Sequence, residues 1–280
     1  MAVAMTITIA RGRFASLSSA LAPRPWYQRA SLRLQAFGLA GVLFTLSAWE
    51  LLARAGMLDV RFIPAPSAVF LGLGELLTTG ILVDETMSTL GRLLMGYAIG
   101  SGLGIAVGFV MAASAVARAA LYPLFAATFP IPKLALLPLM MMLLGVGEES
   151  KVAMVALSAF YLLPLNVIAA IDNIEPIYLQ VVKNLGVDRW MFWKTVAVPC
   201  ALPMIVAGLR AAWSISLIVI IATEMLMSRN GLGFMIWKSG QVFDVITMFS
   251  TFIVIGTLGY ISHLLLDAAA HWLVPWQPAE

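Results

Sequence analysis

Ionisable side chains set inside long apolar runs are the residues of this sequence best placed to do chemistry. A charge there is costly and has to be matched or hydrated. Lys133 follows Pro130 and Pro132 and precedes Pro138 in an otherwise apolar stretch. A buried ammonium costs at least about 2.5 kcal/mol unless it is paired or hydrated. It reads either as electropositive lining for the path of an anion, or as a structural partner that pairs with a carboxylate or snorkels to an interface. Glu224 lies near the end of another apolar stretch and reads either as the partner of a Lys or Arg on another helix or as part of a gate. Glu50 and Arg210 read as interfacial residues, His263 as a helix-packing histidine, and Cys200 as a small buried hydrophobe. His271 has no metal partner at useful spacing. The sequence contains no G-x-x-x-x-G-K-[ST] phosphate loop, no H-E-x-x-H, no G-x-S-x-G and no Cys/His cluster. Readings as a membrane protease, hydrolase or metalloenzyme therefore lack residues to carry them.

The elements that must position these residues are set by composition. Hydrophobic residues make up 61% of the 280 residues and charged ones 11%, against about 25% charged in a soluble domain. The mean hydropathy is +0.96. So little charge cannot cover a surface facing water, so lipid is the solvent. The net charge of +3 comes without a basic run and points to no nucleic acid. Six apolar segments are legible, near 34–52, 93–117, 119–146, 152–171, 203–227 and 245–266. In a bilayer each must pair its own backbone groups, so they are expected to be helices. This predicts an all-α integral membrane protein with six transmembrane helices. Residues 1–33 are expected to form a cytoplasmic tail without a signal-peptide pattern, and 34–275 the membrane domain.

Arg11, Arg13, Arg24, Arg29 and Arg33 precede the first segment, with no acid before Glu50. That bias places the N-terminus in the cytoplasm, and the alternating loops then put nine Lys and Arg inside and six outside. Between the first two segments, Ser67 is expected to cap a helix whose Val69, Phe70, Leu73, Leu76 and Leu77 share one face. In the second segment Gly96, Gly100, Gly104 and Gly108 recur every fourth residue and form a ridge for close helix packing. Pro130, Pro132 and Pro138 break the third segment, and broken helices at membrane depth face protein or an aqueous cavity.

The most informative stretch is the polar, amphipathic insert near 172–202. Gly186 permits a break between two short helices. Asp188 is placed to cap the second of them, and Trp190, Met191, Phe192, Trp193 and Val196 give it a dense apolar surface. Pro199 and Pro203 are expected to end this helix and launch the next span. A short helix with exposed aromatics suits insertion into a groove on a partner; the alternative is a helix resting on lipid head groups.

The spacing of Gly186 thirteen residues before Pro199, with Val196 and Val198 before the proline, resembles the EAA loop of bacterial ATP-binding-cassette (ABC) importer permeases. Gln180, Val181 and Val182 stand where that family shows Glu-Ala-Ala, which removes a charge from the loop. Phe62-Ile-Pro-Ala-Pro-Ser-Ala-Val, Ile131-Pro-Lys-Leu-Ala-Leu-Leu-Pro, Leu144-Gly-Val-Gly-Glu, and Glu224-Met-Leu followed by Gly231-Leu-Gly are similar to the nitrate/sulfonate/taurine-type permeases, over about residues 35–275. The resemblance implies a type I ABC importer permease fold in the bacterial inner membrane. It further implies a homodimer served by two ATPase subunits and a periplasmic substrate-binding protein. Gln180, Gly186, Asp188, Trp190, Phe192 and Pro199 would form the coupling surface; Pro132, Lys133, Pro138 and Glu224 would lie along the path of a small anion such as a sulfonate, taurine, nitrate or carboxylate. The chain would be no enzyme and hold no cofactor, with ATP and Mg on the partner ATPase. The competing reading, an ion-coupled secondary transporter, calls for mid-membrane acids or histidines and a repeated half; the candidates here sit near segment ends and no repeat is visible.

Overall fold

The computed structural model describes residues 25–276, which form helices joined by short connections, with no strand among them. Most of the expected tail, Arg11, Arg13 and Arg24 included, lies outside the described residues. The chain divides into two compact units, Met1–Ser67 and Ala68–Glu280.

In the first unit, helix α1 spans Pro25–Arg54, starting before the segment expected from residue 34. Only 6% of its apolar window Phe37–Arg54 is buried within the chain, and Phe37 and Phe44 are each 75% exposed. Its last turn carries the Glu50–Arg54 pair. The Glu50 carboxylate accepts the Ser67 backbone N–H at 3.0 Å and the Ser67 hydroxyl at 2.7 Å. This corrects the role expected of Ser67: the side chain that satisfies the orphan donor at this helix start comes from Glu50, and the Ser67 hydroxyl is itself a donor. In the connection after α1, the Arg61 guanidinium and backbone N–H hold the Asp59 carboxyl below its ordinary range.

The second unit is built on helix α3 (Ile81–Ala113), helix α6 (Glu148–Asp172) and helix α9 (Val198–Met227). These pack along a seam of Leu93, Val155, Trp213 and Ile220 near one end and of Val167, Ala170, Ala201 and Ile205 near the other. The glycine ridge of α3 lies on α6. A Cβ at Gly100 would sit 2.1 Å from the Ala156 carbonyl oxygen, and one at Gly96 or Gly108 2.6 Å from the Cβ of Val155 or Val167. Only glycine permits this approach.

Short helix α2 (Pro66–Thr78) turns Val69, Leu73 and Leu76 inward, but Phe70 and Leu77 are 55% and 51% exposed. The five residues lie on one side of the helix, as the sequence leads one to expect, but only part of that side is covered within the chain. Helix α10 (Leu232–Gln241) packs against Leu82 of α3 and against helix α11 (Val245–Leu273).

The third apolar segment is two pieces. Helix α4 (Ala115–Thr128) and a short 3-10 turn plus helix α5, together Lys133–Leu144, meet at a bend of 95°. Counting this pair as one span, up to six helices among the described residues are long and apolar enough to cross a membrane. Helix ends fall elsewhere than charge alone suggested. The second segment is helical from Ile81 and stops at Ser114, whose extended backbone and hydroxyl cap α4. The fifth is helical well before Pro203, and the sixth runs on to Leu273. Charged residues such as Arg92 and Asp267 are paired within the helices, so they do not end them.

Candidate coupling surface and the ion-paired bundle

The insert forms helix α7 (Pro176–Asn184), a turn, and helix α8 (Arg189–Phe192). Gly186 sits at φ 61°. Its N–H donates to the Lys183 carbonyl at 3.3 Å, and the Val187 N–H to the Val182 carbonyl at 3.2 Å. This pair of bonds is a Schellman cap, which needs a left-handed residue where Gly186 stands. No other atom lies within 4 Å of where its Cβ would be, so the demand is one of backbone conformation and not of space. The Asp188 carboxylate then accepts the Trp190 N–H at 3.3 Å and caps α8.

Pro199 does not end the second helix. A π segment, Trp193–Ala197, carries α8 straight into α9, so that Arg189–Met227 is one apolar helical run. Proline lacks the N–H that would bond one turn back and crowds that carbonyl. The wider turn resolves this: the Val198 N–H donates to the Trp193 carbonyl, five residues earlier. Pro203 likewise sits inside α9 without ending it.

Two contacts fix this element to the bundle. The Arg189 guanidinium donates to the Ala113 carbonyl at the end of α3 at 2.7 Å. Trp193 meets Phe109 of α3 edge to face, with ring centroids 6.3 Å apart. Nearby, Arg118 of α4 pairs with Asp172 at the end of α6. Beyond this frame the insert leaves apolar side chains uncovered: Leu185 is 73% exposed, Trp190 75% and Met191 55%. Gln180 is exposed and Phe192 half-buried against Trp193.

Lys133 lies in the 95° bend. Its ammonium donates to the carbonyls of Phe129 at 3.0 Å, Ile131 at 3.1 Å and Thr128 at 3.3 Å, and stands 4.2 Å from the Tyr161 ring centroid. Its three hydrogens thus meet backbone acceptors freed where α4 ends. Pro132 precedes the 3-10 turn and Pro138 occupies the first turn of α5.

Glu224, in the last turn of α9, is wholly buried and shares no bond with Lys133. It accepts from Arg92 Nη1 at 2.5 Å, from the Thr89 hydroxyl at 2.8 Å and from the Gly233 N–H at 3.0 Å. Arg92 also holds Glu148 through Nε and Nη2, and the Asn230 side chain at 2.5 Å. Lys151 closes the set on Glu148 at 2.8 Å. One arginine thus ties α3, α6, α9 and the turn before α10 together. By sequence alone Arg92 is one of the six Lys and Arg assigned to the outside loops. The recurrence of Glu148, Lys151 and Glu224 near segment ends, all on one side of the bundle, was the signal available. Near the opposite end, Arg210 pairs with Asp267 at 2.9 Å, and His263 also faces Asp267.

A sequence model of the family described as binding-protein-dependent transport system inner membrane component matches residues 100–277. The chain belongs to this family. The permease is 29% identical over 247 residues to a probable ABC transporter permease protein of Brucella abortus (strain 2308), covering 88% of this chain and 98% of that one. It is 28% identical over 244 residues to the taurine transport system permease protein TauC of Escherichia coli, covering 85% and 88%. It is 30% identical over 250 residues to the bicarbonate transport system permease protein CmpB of Synechococcus elongatus, covering 85% and 87%. Its fold is that of a chain of the methionine ABC transporter MetNI in an inward-facing conformation, with a TM-score of 0.60 and 17% identity over 69% of this chain and 96% of that one. The permease is accordingly a transmembrane subunit of an ABC importer, resident in the inner membrane, and its all-helical architecture is that of importer permeases.

Proposed function

We propose that the permease admits a small anion to the cytoplasm as one of two identical copies, driven by ATPase subunits that dock on the 176–197 insert. The observation that carries this is the insert itself. An uncovered apolar surface of Leu185, Trp190 and Met191 stands on an element tied to α3 by Arg189 and Trp193. An exposed aromatic helix on a firm mount suits a groove on a partner and can pass its displacement to the spans. ATP and Mg would bind on that partner; this chain offers no phosphate loop. The insert would face the cytoplasm, as would the N-terminus, in keeping with the excess of Lys and Arg on that side. Solutes of relatives named for taurine and bicarbonate support a sulfonate or carboxylate-like cargo. A periplasmic binding protein would deliver it on the side of Arg92 and Glu148. The bent segment around Pro132, Lys133 and Pro138 would lie beside the path, with Lys133 holding the bend.

The test is co-purification in mild detergent of wild type and Trp190→Asp. An ATP-hydrolysing subunit is expected near one per permease copy with wild type and is expected to be lost in the variant while the permease itself still purifies. Full retention of the ATPase by Trp190→Asp would remove the insert from the interface.

A further inference from the structure

A groove of about 760 Å³ runs along the α3–α6 pair, away from the coupling insert. Its walls are apolar side chains, among them Met95, Leu103, Leu157 and Phe160, and Gly100 leaves room at its floor. At one end stand the carboxylates of Glu148 and Glu149. On α6 the groove extends from Glu148 to Phe160, roughly 18 Å along a helix axis. That is close to the hydrocarbon depth of one leaflet, roughly half of the ~30 Å core. A path for a solute would have to cross the whole core; this groove is as long as one acyl chain.

The charged end fits the head of such a chain. Glu148 is already matched by Arg92 and Lys151. Glu149, exposed beside it, has no ion pair with any described residue. With Glu148 held by Arg92 and Lys151, Glu149 is the carboxylate of the groove lining that has no ion pair among the described residues. Set at the depth where α6 begins, that charge suits an ammonium and repels a head group of net negative charge.

We propose that this groove binds an amine-headed zwitterionic phospholipid of the phosphatidylethanolamine kind, its acyl chain between α3 and α6 and its ammonium at Glu149. This goes beyond the transport reading and does not depend on which way the chain is oriented, since either leaflet can supply the lipid.

Native mass spectrometry of the purified transporter tests it, after incubation with phosphatidylethanolamine and phosphatidylglycerol of matched chains. The expected result is a phosphatidylethanolamine adduct on each permease copy that outlasts the phosphatidylglycerol adduct. Glu149→Gln should erase that preference, and Ala153→Phe, which fills the groove, should remove the adduct. Glu149 is exposed, so its substitution keeps the test valid if Ala153→Phe fails to fold. Equal retention of the two lipids by wild type would overturn the proposal, as would a preference unchanged by Glu149→Gln. A disulfide joining two copies through Leu103→Cys would also overturn it, by assigning the groove to a second copy of the chain.

Discussion

The costliest single residues in this bundle are its buried charges, and each is matched by identifiable partners. Glu224 is wholly enclosed and accepts from Arg92, Thr89 and the Gly233 N–H. Removing one member of such a set strands the others, at about 3 kcal/mol. Glu224→Ala is therefore expected to lower the thermal unfolding midpoint of the purified protein clearly; an unchanged midpoint would show that Arg92 is held by Glu148 and Asn230 alone. Lys133 poses a different question, because its ammonium is taken up by three carbonyls at the end of α4. Lys133→Met should destabilise by about 1–3 kcal/mol by orphaning those acceptors. A variant of unchanged stability whose transport fails only through a raised KM would instead make Lys133 a solute contact. Neither network was legible in the sequence in full. The partners of Arg92 lie 56 residues away at Glu148, 132 at Glu224 and 138 at Asn230, separations that no local pattern reports.

At the scale of elements, local rules carried further. The four-residue glycine period, the helix break at Gly186 and the Asp188 cap are all visible as spacing, because each depends on neighbours within a turn or on a single repeated face; that Gly186 serves the break by its left-handed backbone and not by leaving space is not. Failures came where another element intervened. Ser67 looks like a cap until Glu50, 17 residues earlier, accepts hydrogen bonds from its N–H and hydroxyl. Pro199 looks like a stop until a π turn accommodates it. The glycine ridge supports an internally controlled prediction. Gly100→Ala would put its Cβ 2.1 Å from the Ala156 carbonyl oxygen, whereas Gly102, on the same helix, has nothing within 4 Å. Gly102→Ala should be neutral or stabilising by about 0.5 kcal/mol, as for any open helical position. Gly100→Ala should cost about 1–3 kcal/mol, the usual penalty of overpacking. Equal melting temperatures for the two would mean that α3 and α6 are further apart than described.

For the molecule as a whole, the buried Arg92 set ties α3, α6 and α9 near one end, and Arg189 and Trp193 brace the insert against α3 near the other. A push on the insert is thereby delivered to α3 and α9 together. Under the proposed coupling role, this path of contacts is the route by which docking of an ATPase on the insert would reach the spans. Composition made the membrane class legible from the start, since 11% charge cannot solvate a surface. The proposed coupling role rests on the insert. The most direct measurement is cysteine cross-linking in inside-out vesicles that hold the complete transporter. Leu185→Cys would be introduced, with Cys200→Ser to remove the natural thiol. The predicted result is a cross-link from Cys at position 185 to an ATPase subunit, with protection from membrane-impermeant thiol reagents until that subunit is stripped away. Labelling of that thiol only from the opposite face, with no cross-link, would contradict both the orientation and the coupling role.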